Sequence, residues 1–182
     1  DLLVFHIVFG KSVPDISLNA VANLGYAEGV FRQPVYSGDT LASRSEVIGL
    51  KENSNHQTGT VYVRTTGENQ MGETVLSFVR WVMVRKRDPA SPAPAPVIPR
   101  LASGVAAEAL VGNCPPLDGS RWDTTLSGSR HRWQDYEPGE KIDHVDAFTV
   151  EEAEHQIATR LYQNTAKVHF NQHAQSQTPR GK

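Results

Sequence analysis

The chain has 182 residues, 38% hydrophobic and 21% charged, enough for one medium domain or two small ones. Its formal net charge is -2 and it has no large basic block, which argues against a nucleic-acid partner; no run nears the ~18 consecutive apolar residues of a membrane span, which argues against a membrane partner. Its single cysteine, Cys114, excludes an internal disulfide and a cysteine-rich zinc site; followed by Pro115 and Pro116, it fits a loop thiol in a reducing, cytoplasmic setting better than a nucleophile.

In chain order, Asp1 opens directly into DLLVFHIVFG, with Leu2, Leu3, Phe5, Ile7, Val8 and Phe9 apolar almost all round. That pattern predicts the tail of a buried core helix over 1–11. A first residue other than Met, with no charged leader before it, raises the expectation that the chain is an internal piece of a longer protein. Residues 18–87 predict antiparallel strands joined by KENSNHQ (51–57) and ENQMG (68–72). The last and longest strand, GETVLSFVRWVMVRKR, is apolar on both faces and so needs cover on both. Arg85, Lys86 and Arg87 close it and read as a solvated strand end.

Residues 88–100 hold five prolines in thirteen positions. They predict a semi-rigid extended linker spanning up to about 40 Å at about 3.1 Å per residue, and so a domain boundary. A short helix is expected from Val105 to Val111, then a Gly/Pro/Ser-rich loop pinned by Trp122 and Trp133. KIDHVDAF (141–148) alternates as a strand does. Thr149 and Glu152 are placed for a capping box, and Val150, Ala153, Ile157 and Leu161 recur at helical spacing, which predicts an amphipathic helix over 150–162.

Beyond that helix, RLYQNTAKVHF sets Asn164 five positions ahead of His169. From the residues alone this is either a catalytic pair or a polar loop that holds a histidine. His169 and His173 are four apart, but no acidic residue between them completes a metal site, so none is expected. His144, Asp146, Glu151 and His155 read as exposed faces of strand and helix. Pro34, Gly38 and Asp39 have turn chemistry.

Several stretches together resemble the MaoC-like hot-dog hydratase family. FRQPVYSGDTL (31–41) is similar to that family's Phe-x-x-Pro-Val-x-x-Gly-Asp-Thr-Leu turn. Asn164 to Asn171 stand where the family has Asp-x-Asn-Pro-(Leu/Ile)-His-x-Asp. The resemblance covers most of the chain and is weakest over 100–130. It implies an α+β tandem hot-dog fold, an antiparallel sheet wrapped round a central helix, with both hot dogs incomplete here. Residues 1–87 would be the C-terminal part of the first, 88–133 a Pro-rich linker and loop, and 134–182 the N-terminal part of the second.

The same resemblance implies reversible hydration of a branched α,β-unsaturated acyl-CoA, mesaconyl-CoA, with no cofactor and no metal. His169 would be the general base, since histidine titrates near ~6.5. Backbone N–H groups after this loop would hold the enolate oxygen. Asn164 replaces an aspartate, and an amide cannot carry a proton. Either it orients water or substrate, or this copy of the motif is inactive, or an acid comes from elsewhere. Asn171, Gly38 and Asp39 are weaker substrate-binding candidates. Arg64, Arg80 and Arg85 are candidates for the CoA phosphates. A homodimer is left open, as are two other functions: a non-catalytic acyl-CoA-binding or assembly module, and a thioesterase.

Overall fold

The computed structural model describes residues 1–111, 118–128 and 131–179. Residues 1–113 and 151–182 form one compact unit, and residues 114–150 a second.

The first unit is built on one helix and one sheet. Helix α1 (Leu2–Ile16) starts where the Asp1 carboxylate accepts the Val4 N–H at 3.1 Å. It runs past the expected end at residue 11 and through Pro14. A proline so near the C-terminus removes one intrahelical hydrogen bond without breaking the helix. The expectation of an all-round buried helix is corrected. Val4, Val8, Ser12 and Val13 are buried, while Leu2 and Leu3 are exposed.

Strands β1 (Ala20–Phe31), β2 (Ala42–Glu52), β3 (Thr58–Glu68) and β4 (Thr74–Arg85) form an antiparallel sheet in the order β1-β4-β3-β2. Helix α1 packs on β2, β3 and β4. Val4 and Val8 meet Val75, Leu76 and Phe78, with Phe5, Phe9, Val35 and Leu41 at the margin. Each such side chain, fully buried, stabilises the fold by about 1.5–3 kcal/mol. Strand β4 is enclosed on both faces, as its apolar pattern demanded: Val75, Leu76, Phe78, Val79 and Val82 are all buried.

Arg80 interrupts that run and is also fully buried. Its guanidinium donates to the Ser12 hydroxyl at 3.0 Å and the Ser17 hydroxyl at 3.2 Å, and lies 4.6 Å from the centre of the Phe9 ring. No carboxylate pairs with it among the described residues. The negative end of α1 and the ring face take that place. Burial pulls its pKa down to about 10, partly opposed by Tyr26.

The proline-rich segment does not extend away from the sheet. Val97 and Leu50 exchange backbone hydrogen bonds at 2.9 and 2.8 Å, so the segment pairs with edge strand β2. Lys86 ties its start down, donating to Glu52 at 2.7 Å, the Pro89 carbonyl at 2.9 Å and the Ser91 carbonyl at 2.7 Å. Further on, the Ala102 N–H donates to Glu28 at 3.3 Å. A sheet edge left open invites unwanted pairing, and this strap occupies part of it. Helix α2 (Ala107–Val111) follows, close to its expected position.

In the second unit, Asp123 caps helix α3 (Thr124–Ser127) by accepting the Thr125 and Leu126 N–H groups. Trp122 and Trp133 are 54% and 87% exposed, so they do not pin the loop as expected. The strand expected over 141–148 does not form. An alternating pattern makes a strand only with a partner to ladder with, and no described segment supplies one. Cys114, Pro115 and Pro116 lie outside the described residues.

Candidate active site

The site is assembled by helix α4 (Glu152–Leu161), the turn after it and one end of α1. Helix α4 lies where its spacing predicts. Its capping box, however, is Glu151 with Glu154 rather than Thr149 with Glu152, and the Glu151 N–H donates to the Glu154 carboxylate. Thr159 is its buried residue, while Ile157 and Leu161 remain 57% and 70% exposed.

The turn Tyr162–Ala166 is pressed against α1. A Cβ on Gly10 would stand 1.8 Å from the Tyr162 carbonyl oxygen, so only glycine permits this approach. The His6 ring stacks on Tyr162 at 4.9 Å, and Lys11 Nζ donates to Gln163 Oε1 at 3.2 Å. Asn164 then shapes the chain: its N–H donates to the Thr159 carbonyl at 3.0 Å, and its Oδ1 accepts the Ala166 N–H at 3.1 Å. A single 3-10 turn, Lys167–His169, presents His169.

His169 and Asn164 line one cleft of 540 Å³, together with Phe9, Val13 and the Ser17–Asn23 backbone stretch. His169 Nδ1 lies 2.9 Å from His155 Nε2, with the rings nearly perpendicular. Burial and then the His155 charge lower the His169 pKa below the ordinary histidine value. The unfolded chain therefore takes this proton more readily. The imidazole contributes stability that is fully present above about 6.5 and lost as pH falls through the lower folded value.

The other expected site residues lie elsewhere. Gly38 (φ 100) and Asp39 build their own turn. Asp39 accepts the Tyr36 N–H and the Gln70 amide, both at 2.8 Å, which holds its carboxyl below the usual range. Neither lines the cleft of His169. Asn171 caps helix α5 (Gln172–Ser176) by accepting the Ala174 N–H at 2.9 Å, and it too is outside the cleft lining. Among the described residues no group of three or more His, Cys, Asp or Glu is placed to hold a metal ion, and no helix is long and apolar enough to cross a membrane.

A second groove, of 580 Å³, shares Leu18, Asn19, Ala20 and Lys167 with the first, and Arg85, Lys86 and Arg87 flank it. Of the three arginines proposed for phosphates, Arg64 is paired with Glu28 at 2.5 Å and Arg80 is buried, which leaves Arg85 on this groove. Arg85, Arg87 and Lys167 have no ion pair among the described residues. Sequence reasoning missed two residues here. In the sequence His155 reads as part of an exposed helix face, and no motif singles out Lys167. The signal for His155 was its position on the helix that feeds directly into the His169 turn.

No family model matches the chain. The mesaconyl-CoA hydratase of Cereibacter sphaeroides is 66% identical over 172 residues, which cover 94% of this chain and 50% of that protein. The beta-methylmalyl-CoA dehydratase of Chloroflexus aurantiacus is 58% identical over 174 residues, 96% of this chain and 49% of that protein. The chain thus spans about half the length of the curated relatives it matches. A solved structure from Chloroflexus aurantiacus, described as a MaoC domain protein dehydratase, superposes with a TM-score of 0.87 at 55% identity, over 100% of this chain and 51% of that one. A Mycobacterium tuberculosis protein with a double hotdog fold superposes with a TM-score of 0.55 at 27% identity, over 93% of this chain and 51% of that one.

Proposed function

Because the chain belongs to the MaoC-like hot-dog family and has its α+β fold, we propose that the full-length protein is a hydro-lyase that reversibly adds water to mesaconyl-CoA to give β-methylmalyl-CoA. The observation that carries this reading is the placement of His169. It stands half-buried, its pKa lowered, on the wall of a cleft, in a chain 66% identical to a protein named for this reaction. In this proposal residues 1–87 end the first hot dog, 88–133 link, and 134–182 begin the second.

The chemistry needs a neutral base and a place for negative charge. Neutral His169 takes a proton from water as the water oxygen bonds the β-carbon of the acyl chain. The π electrons move to the thioester oxygen as an enolate, which backbone N–H donors hold. The proton then returns to the α-carbon, so one water has been added and nothing lost. Dehydration is the same path reversed. Asn164 carries no proton in this scheme. Its Oδ1 is engaged by Ala166, and its Nδ2 donors serve to orient water or substrate. The adjoining groove, with Arg85, Arg87 and Lys167, suits the phosphates of the CoA moiety.

A second reading, an acyl-CoA-binding module without turnover, is favoured by one observation: the position of the family's acid holds an amide already used to shape the loop. The full-length protein mixed with mesaconyl-CoA is expected to lose the absorbance of the conjugated thioester. Tight binding with unchanged absorbance would replace the first reading by the second, and release of free CoA thiol would mark a thioesterase. The 182 residues by themselves are expected to be inactive.

A further inference from the structure

We propose that His155 is the positioning residue of His169, holding its imidazole through Nδ1 so that Nε2 is the nitrogen offered to the reaction. The contact is 2.9 Å between His155 Nε2 and His169 Nδ1, with the ring centroids 5.0 Å apart and the planes at 71°. Two neutral imidazoles in contact through one nitrogen each can share only one proton between those nitrogens. When His169 Nδ1–H donates, its Nε2 keeps a lone pair and acts as a base. When His155 Nε2–H donates, His169 Nε2 carries a proton and acts as an acid. The pair thus links the tautomer of His169 to its two roles in a reversible hydration.

Both rings are carried by one hydrogen-bonded unit. The buried Thr159 hydroxyl donates to the His155 carbonyl at 2.8 Å, and the Thr159 carbonyl accepts the Asn164 N–H that starts the loop. The His169 N–H closes the turn on the Ala166 carbonyl at 3.1 Å. Among the described residues no carboxylate hydrogen-bonds His169. His155 therefore fills the orienting role that a carboxylate fills beside many catalytic histidines. His155 itself is exposed.

The kinetic part of the test rests on the hydration reading; the spectroscopic part does not. In the full-length protein, His155→Phe removes both ring nitrogens, while His155→Gln keeps a polar group near Nε2. With mesaconyl-CoA, His155→Phe is expected to lower kcat about 10–100-fold with KM little changed, and His155→Gln to restore most of the loss. On a His169→Ala background, His155→Phe is expected to cost nothing further. Nitrogen-15 NMR of labelled histidine is expected to show His169 protonated at Nδ1 in the wild type and in His155→Gln, and shifted toward a tautomer mixture in His155→Phe. An unchanged kcat in His155→Phe, while His169→Ala loses activity, would overturn the proposal. So would an unchanged His169 tautomer. If the wild type does not hydrate the substrate, the hydration reading fails and the tautomer measurement alone decides the role of His155.

Discussion

His169→Ala in the full-length protein is expected to lower kcat for mesaconyl-CoA hydration about 10²–10⁴-fold, the usual contribution of a positioned general base. Substrate affinity should change far less, because in the proposed function the thioester and CoA moiety are held by the rest of the cleft and the adjoining groove rather than by His169. The pH profile gives a second reading of the same residue. Burial and the His155 charge disfavour the imidazolium, so the folded pKa lies below the ordinary value. The wild-type kcat/KM should therefore be flat at neutral pH and fall only below about 6.5, as the base becomes protonated. Stopped assays across pH 5–8 on wild type and variant check both. A His169→Ala protein with wild-type kcat would end the assignment of this imidazole as the base.

Among the described glycines, Gly10→Ala is expected to have the largest structural effect. In an ordinary helix interior this change stabilises by about 1 kcal/mol. Here the new methyl would stand 1.8 Å from a backbone carbonyl oxygen, which cannot rotate away as a side chain does. The turn at Tyr162 must lift off α1, and with it the His6–Tyr162 stack and the Lys11–Gln163 hydrogen bond are lost. Overpacking of this kind costs about 1–3 kcal/mol, so the sign of the effect is the test. Denaturant unfolding of the full-length variant should show a lower midpoint, with strand content intact and hydration lost. A raised midpoint with activity retained would show that the turn does not rest on Gly10.

How much of this was legible in the sequence divides along the range of the interactions. The four strands were readable because each turn has local chemistry: the Gly38–Asp39 turn, with Asp39 accepting the Tyr36 N–H, is specified within a few residues. Helix α4 was readable from its period, although the cap moved by two residues, because Thr149 with Glu152 and Glu151 with Glu154 compete for the same first turn. The alternation over 141–148 was readable as a pattern but not as a strand, since pairing is a property of two segments and one was seen. The course of the strap over 88–102 was not legible for the opposite reason. Its prolines fixed local conformation, but its course was set by Leu50, Glu52 and Glu28, residues distant in sequence.

The site shows the same division. The sequence singles out His169 and Asn164 because they are close together and match a known spacing, and the structure sets both on one cleft. His155 was missed because a histidine on a polar helix face carries no sign of its partner fourteen residues on. Arg80 stands among three arginine candidates for the phosphates because composition does not report burial. The structure places it behind the cleft wall, bonded to Ser12 and Ser17, where it secures the end of α1. Gly10 gave no signal in a run of apolar residues, yet it admits the turn that carries His169.

The central claim is that His169 delivers and recovers the proton of a water added to a CoA-linked double bond. The most direct measurement is a crystal structure of the full-length protein with an unreactive mesaconyl-CoA analogue. The account predicts the acyl chain in the cleft of Phe9, Val13 and Asn164, with His169 Nε2 within about 2.6–3.2 Å of a water or hydroxyl at the β-carbon. An acyl chain seated in another pocket, with the His169 ring turned from its carbons, would contradict it.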